Sequence, residues 1–444
     1  MTSTTVQPLD RLPYLTPDIA PIHAAIKRRY EDFRVEEIAA YEPCGEGTHC
    51  YFKIEKSGLA TMRAVHDIAR ALGVAARDIG VAGLKDARGV TIQTLSVEHV
   101  DEDRIRKLSI PRIRILDVSY HGNKLKIGHL HGNRFTLRLR DVKADRLDDL
   151  RTACETLAKR GVPNYFGQQR FGHRGDTWQI GRAVLKGDAK EVVDLMLGRP
   201  TPFDTGPVKH ARHLYEIGKY GEAVKTWPYG FRDNRKLSRQ MERYAGKHNK
   251  AYRTIDSRML KFFVNAYQSH LFNEVLGRRI NEIDQVRLGD LAYKHDTGSV
   301  FRVEDVEAEN LRAAAGEISP SGPLYGGRMT RTDGVPCEIE DDVLHDELVT
   351  VEDFNKLKRM KIQGSRRPLR FFPRDLKIEN GADEFGAYVE LRFSLSSGCY
   401  ATMLLREICK TELAEGLDDD ADDVPEEKDA GRGGPTIVLP TDDM

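Results

Sequence analysis

The stretch Gly80-Val81-Ala82-Gly83-Leu84-Lys85-Asp86-Ala87-Arg88-Gly89-Val90-Thr91-Ile92-Gln93 sets one carboxylate in a glycine-flanked turn between two apolar runs. Glycine admits close backbone approaches that other residues resist. The pattern therefore predicts strand, turn, strand over residues 79–97, with the acid at the turn beside Lys85 and Arg88. A free aspartate is ionised at neutral pH, its ordinary pKa being about 3.9. It is a candidate nucleophile toward a carbon electrophile, and the neighbouring cations favour the anion and attract phosphate. The structural alternative stands beside this reading: an aspartate that fixes a turn next to a solvated lysine. The G-x-x-x-x-G-K-[ST] spacing of a phosphate loop is absent.

Outward from this turn the chain keeps a mixed pattern. Tyr51 to Glu55 alternates, with Phe52 and Ile54 on one face and Tyr51, Lys53 and Glu55 on the other. Thr61 is placed to cap a helix that carries Ala64, Val65, Ile68, Ala69 and Leu72 and stops at Gly73. Leu125 to Ile127 and Arg134 to Arg140 read as a strand pair. In the second, Phe135, Leu137 and Leu139 face inward while Arg134, Arg138 and Arg140 present a cationic face. Residues 146–160 read as a helix ended by Gly161, Tyr388 to Leu395 as a strand, and 401–410 as a helix. In the middle, Thr177 to Leu197 and Ser257 to Leu276 carry helical spacing.

A second informative segment is Pro163-Asn164-Tyr165-Phe166-Gly167-Gln168-Gln169-Arg170-Phe171-Gly172. Aromatic faces stack on unstacked bases and amides read base edges. The same residues also suit a loop that simply plugs a core. Two basic stretches suit phosphate contacts. Phe231 to Lys261 has ten bases against three acids, and Lys356 to Lys377 nine against one. A solvated helix face is the alternative for either.

The chain has 444 residues, with 69 Lys and Arg against 69 Asp and Glu. That zero net charge conceals a division. Residues 411–444 carry twelve acids and two bases, leaving 67 bases and 57 acids on the other 410 residues. A body of +10 with a tail of −10 is compatible with a polyanionic partner. The tail is poor in aromatics and reads as disordered.

No apolar run of about 18 residues marks a membrane span, and the N-terminus lacks an apolar signal core, which points to a cytoplasmic protein. The six cysteines form no C-x-x-C pair. Cys44, His49 and Cys50 lie close together, yet no second ligand pair follows at metal-site spacing. H-E-x-x-H, G-x-S-x-G and G-x-G-x-x-G are all missing, which weighs against a metal enzyme, a serine hydrolase and a dinucleotide enzyme.

Taken together the segments resemble the TruD family of tRNA pseudouridine synthases. The matching stretches are Glu31-Asp32-Phe33-Arg34-Val35-Glu36-Glu37, Gly47-Thr48-His49, Ala82 to Asp86 running to Val90-Thr91-x-Gln93, Gly132-Asn133-Arg134-Phe135 and 163–172. Gln268-Ser269-x-Leu271-Phe272-Asn273, Gly364-Ser365-Arg366-Arg367-Pro368 and Ser397-Gly398-x-Tyr400-Ala401-Thr402-x-x-Leu405-Arg406-Glu407 follow in family order. Length and the extra central segment look more like the archaeal and eukaryotic branch than the shorter bacterial one. Two departures are mild: Gly89 stands where many members have Ala, and Ser396 where many have Pro.

The resemblance implies a cofactor-free isomerase that converts a tRNA uridine, usually uridine 13, to pseudouridine, with tRNA as partner and no metal, membrane or obligate protein partner. It implies a mixed α/β (α+β) fold: an antiparallel-sheet catalytic domain from 1–172 and 365–412, an inserted α/β domain over 173–364 with an RNA-binding cleft between the two, and the acidic tail 413–444. By position, Asp86 matches the catalytic aspartate, and Asn164 and Phe166 match residues that orient it and line the uracil pocket. Lys27, in the run Lys27-Arg28-Arg29, falls where the family has an active-site lysine. Arg366 and Arg367 are expected to contact RNA. The rival readings are a non-catalytic RNA-binding protein using the same basic cleft, and a nucleosidase or glycosidase, whose usual paired carboxylates the motif does not supply.

Overall fold

A computed structural model describes residues 11–357, 360–411 and 414–415. Apart from the backbone of 414–415, the tail 413–444 lies outside the described residues. The described chain forms two compact units, one from residues 11–15 and 163–371, the other from 16–162 and 372 onward. The segment 163–172 groups with the middle of the chain, because Asn273 grips the backbone of Phe166 from both sides: Phe166 N–H donates to its Oδ1 at 2.8 Å and its Nδ2 donates to Phe166 O at 3.1 Å.

The unit built from the chain ends is organised by one large mixed sheet. Its main path runs Arg374–Asp383, Gly386–Ser396, Leu130–Arg140, Phe33–Ala39, Val90–Glu98, His49–Ser57, Ile113–His121. Neighbours on this path are antiparallel except Phe33–Ala39 and Val90–Glu98, which run parallel with Val35 opposite Thr91. The Thr61–Leu72 helix lays Ala64, Val65, Ile68 and Leu72 on Phe52, Ile54, Leu95 and Val97. Gly73 closes it in the left-handed conformation. The helices Leu147–Arg160 and Ala401–Cys409 pack together and bury Leu150, Leu157, Leu404 and Leu405.

The other unit is mostly helical. The helix Ser257–Arg278 runs through its core, where Val264, Tyr267, Leu271 and Val275 meet Val184, Val192 and Leu197. A four-stranded antiparallel sheet lies in the order Val300–Arg302, Leu291–Lys294, Ile318–Leu324, Ser365–Pro368.

Four local expectations are corrected. Leu125 to Ile127 is loop, and Leu130–Arg140 is one continuous strand paired on both edges. Residues 177–197 form two helices, Thr177–Lys186 and Ala189–Leu197, because Gly187 turns left-handed and the Asp188 carboxylate caps the second through Glu191 N–H. Thr61 opens its helix without capping it; its hydroxyl is used elsewhere. The arginine face of Leu130–Arg140 is neutralised: Arg134 pairs with Glu36, Arg138 with Glu390, and Arg140 with Asp32 and Asp383.

Candidate active site

The 82–89 turn is held by buried polar groups on the helix side of the sheet. Val90–Glu98 and Phe33–Ala39 run parallel, so Glu37 continues the face of Thr91 and Gln93. There it meets Lys85, Nζ to Oε2 2.9 Å, with both side chains buried. Gly83 leaves room at this point: a Cβ there would stand 3.2 Å from that same ammonium, a tight approach that the lysine would have to relieve by a small shift. The Lys85 backbone N–H donates to Thr61 Oγ1 at 2.8 Å, and Thr61 Oγ1 lies 3.0 Å from Gln93 Oε1. Lys56, fully buried, donates from Nζ to the backbone carbonyls of Asp86, at 3.1 Å, and of Leu59. The turn is therefore fixed at a backbone N–H, a backbone carbonyl and a side-chain ammonium before its carboxylate makes any contact.

That carboxylate points outward, with the Asp86 side chain 39% exposed. Its Oδ2 pairs with Lys27 Nζ at 2.7 Å, and its Oδ1 accepts the Arg88 backbone N–H at 3.1 Å. Burial raises its pKa, but the hydrogen bond and charge of Lys27, with the N–H groups of Arg88 and Ala87, outweigh this and hold it below the ordinary carboxylate value. It is an ionised, accessible carboxylate with one oxygen on a cation.

The Lys27-Arg28-Arg29 run is separated by the backbone. Lys27 adopts a left-handed conformation, φ 54°, and its ammonium lies 4.7 Å from the Phe33 ring centroid. Arg28 turns to Asp141, and Arg29 stacks on Phe385 at 3.8 Å. Of the three, Lys27 is the one on Asp86.

Asn164 and Phe166 belong to the other unit. Asn164 is buried and its amide is committed: Nδ2 donates to Pro368 O at 2.8 Å, and Oδ1 accepts from Arg367 Nη2 at 2.5 Å. The Arg367 guanidinium lies over the Phe166 ring at 4.3 Å, and Phe272 meets that ring edge-on at 5.6 Å. Arg170 stands 5.6 Å from the same ring and donates from Nε to Ser269 Oγ at 3.0 Å. Phe166 is itself largely buried, at 7% exposed; an aromatic face beside a planar cation is a combination that stacks an unstacked base, while the amides here hold the scaffold.

Arg366 departs from expectation. Its guanidinium makes a two-pronged pair with Glu340, at 2.7 and 3.1 Å, and donates to Ser321 O at 2.6 Å and Ser321 Oγ at 3.1 Å. Both side chains of the pair are only 3% exposed. Arg370 is likewise buried, bonded to Ser319 Oγ and to the carbonyls of Ala313 and Ile318. Two of the nine bases from Lys356 to Lys377, Arg366 and Arg370, are thus internal scaffolding, while Lys356, Lys361, Arg374 and Lys377 are exposed.

Sequence reasoning missed Lys56, Glu37 and Thr61. A signal for Lys56 existed: the alternation that buries Phe52 and Ile54 reaches Lys56 two positions on. Among the described residues no group of His, Cys, Asp and Glu is disposed to hold a metal ion, and the six cysteines form no disulfide with one another. Among the described residues, too, no helix is long and apolar enough to cross a membrane.

The sequence pattern of the family described as tRNA pseudouridine synthase D (TruD) matches residues 11–408. The tRNA pseudouridine synthase D of Geobacter sp. (strain M21) is 41% identical over 400 residues, covering 90% of this chain and 99% of that protein. The protein of the same name from Geotalea daltonii is 40% identical over 399 residues, covering 90% and 100%. A crystal structure assigned to tRNA pseudouridine synthase D (TruD) from Methanosarcina mazei superposes with a TM-score of 0.82 at 28% identity, over 93% of this chain and 99% of that one. Bacterial relatives thus match this chain over nearly their whole length.

Proposed function

Because the chain belongs to the TruD family of tRNA pseudouridine synthases, we propose that it isomerises a uridine of tRNA, uridine 13, to pseudouridine with Asp86 as the catalytic carboxylate. The observation that most supports this reading is the accessible Asp86 carboxylate held at 2.7 Å by Lys27 on a turn braced from behind. Isomerisation breaks the glycosidic bond, turns the base and joins its carbon 5 to the sugar. It needs neither a redox partner nor an external group, so a positioned carboxylate is sufficient chemistry. The target must leave the base stack to be reached.

In this reading Asp86 acts as nucleophile or base on the target nucleotide. Lys27 keeps it ionised and holds one of its oxygens, leaving the other to face the nucleotide. Phe166 stacks the flipped uracil, and Asn164, through Arg367, shapes that pocket. Arg367 contributes the RNA contact, and the two parts of the catalytic unit, 1–172 and 365–412, flank an inserted domain at 173–364. A cytoplasmic location follows from tRNA as the substrate. Placement in the archaeal and eukaryotic branch rests on the chain's length and its central segment, against which stand bacterial relatives matched over 99% and 100% of their own length.

The test is Asp86→Asn, with pseudouridine mapped in a single tRNA and tRNA binding measured alongside. The expected result is lost conversion with binding retained. Full activity of the variant refutes the assignment. Release of free uracil by the native protein identifies a glycosidase instead, and binding without any conversion identifies a non-catalytic RNA-binding protein.

A further inference from the structure

We propose that Lys56 is a positioning residue for the reaction assigned above: buried behind the Asp86 turn, its ammonium holds that turn in its reactive conformation, and loss of its proton switches catalysis off on the alkaline side. The inference rests on Asp86 being the catalytic carboxylate.

The geometry is unusual for a lysine. Lys56 is 0% exposed, on the face of His49–Ser57 that otherwise buries Phe52 and Ile54. An apolar residue there would avoid the cost of burying a charge. Among the described residues no carboxylate lies within 4 Å of its Nζ; the partners it has are carbonyl oxygens, those of Leu59 and Asp86. A buried ammonium spent on the main chain of the reactive residue fixes where that residue stands, and does so without competing with Lys27 for the carboxylate.

Asp86 and Lys85 act on it directly, and the elements packed around it carry the following charged and polar groups. Asp86 and Lys85 come from the turn, and Glu37, paired to Lys85, comes from Phe33–Ala39. Thr91 lies opposite on Val90–Glu98, and Thr61 comes from the helix. Arg112, before Ile113–His121, donates to Gly58 O at 3.1 Å. Burial pushes the Lys56 amine down to about 8, with Asp86 opposing and Lys85 adding to the shift. Lys56 is therefore charged at neutral pH and neutral a little above it. Charged N–H donors bond roughly twice as strongly as neutral ones, so the grip on the Asp86 carbonyl weakens when the proton leaves.

Two readouts move in opposite directions. The unfolded chain binds the lysine proton up to its ordinary value of about 10.4, whereas the folded chain loses it near 8. Between those limits the unfolded state holds more protons, so stability contributed by Lys56 rises with pH while the catalytic rate falls.

The experiment uses the full chain and one tRNA transcript under single-turnover conditions from about pH 6 to about pH 10. For the native protein the rate is expected to fall above about pH 8 with loss of one proton, at unchanged tRNA affinity. Lys56→Met is expected to lower the rate about 10²-fold, keep tRNA affinity within about threefold, and lack that alkaline limb. Relative to Lys56→Met the native protein gains thermal stability over the same pH range. If Lys56→Met does not fold, a γ-thialysine at position 56 decides: this less basic amine of similar length moves the limb to lower pH and leaves the rate on the acid side of the limb unchanged. An alkaline limb that is absent in the native protein, unmoved by γ-thialysine, or retained in Lys56→Met overturns the proposal. A native protein that makes no pseudouridine, or an Asp86→Asn variant with full activity, instead removes the functional reading on which it rests.

Discussion

Replacing Arg366 by Ala separates a scaffold from an RNA contact. The side chain is 3% exposed and makes four hydrogen bonds, two to Glu340 and two to Ser321. Removing one partner of a buried pair leaves an uncompensated charge, at a cost of about 3–5 kcal/mol. For a cooperative unit of about 150–250 residues each kcal/mol lowers Tm by about 2–4 °C, so the transition of the unit carrying Arg366 should fall by about 6–20 °C. Replacing both partners, Arg366→Met with Glu340→Leu, should cost far less than the single change, because a buried pair is often no better than apolar residues of similar volume. Below the transition, the slope of log Kd for tRNA against log salt should match the native protein. Thermal unfolding and tRNA titration at several salt concentrations read both quantities. An unchanged Tm together with a slope reduced by about 0.7–0.9, the signature of one lost phosphate contact, refutes the scaffold role. Arg367→Ala is the contrasting arm, expected to weaken tRNA binding and reduce the slope without a comparable fall in Tm.

Lys27→Met removes the cation that lowers the Asp86 pKa and leaves the opposing burial effect in place; Asp86 then ionises at higher pH, and the acid limb of the rate profile moves upward, where an unmoved limb counts against the pairing. Phe166→Ala should reduce turnover more than tRNA affinity, measured as kcat against Kd, since the ring is proposed to hold one base; equal losses argue for a docking role. Gly89→Ala should destabilise this chain and slow catalysis, because the new Cβ would lie 2.4 Å from the Phe33 carbonyl oxygen and force the turn to shift; native Tm and rate in that variant refute the close approach.

The alternation of Phe52 and Ile54, and of Val389, Leu391 and Phe393, was legible because burial of one sheet face imposes a period of two. The strand, turn and strand around Asp86 were legible for a related reason, since glycines and β-branched residues mark those changes locally. What could not be read was the destination of charged side chains. Arg140 and Asp32 lie 108 positions apart, and Arg140 and Asp383 243. No local pattern distinguishes an arginine bound for such a partner from one bound for phosphate. A charge run therefore overstates the surface it supplies, as Arg366 and Arg370 demonstrate. The same blindness hid Lys56, whose type argued for solvent while its place in the alternation argued for the core.

The placement of Lys27 follows from those distant pairs. A non-glycine residue in the left-handed region is uncommon and costs about 1–2 kcal/mol, and such strain persists only where the surroundings over-determine it. Here they do. Ala25, two residues before, pairs with Arg140 in the sheet. Five residues after Lys27, Asp32 accepts Arg140 at 2.6 and 2.9 Å with both side chains almost wholly buried, and it also takes the Arg29 backbone N–H at 3.1 Å. Arg140 thus fixes both ends of the turn, so the strained residue between them has little freedom left. With the Asp86 turn braced independently by Thr61, Glu37 and Lys56, the two halves of the ion pair are set by separate scaffolds. Their 2.7 Å contact is then a property of the fold before any RNA arrives, so in the proposed reaction Asp86 meets the nucleotide already ionised and oriented.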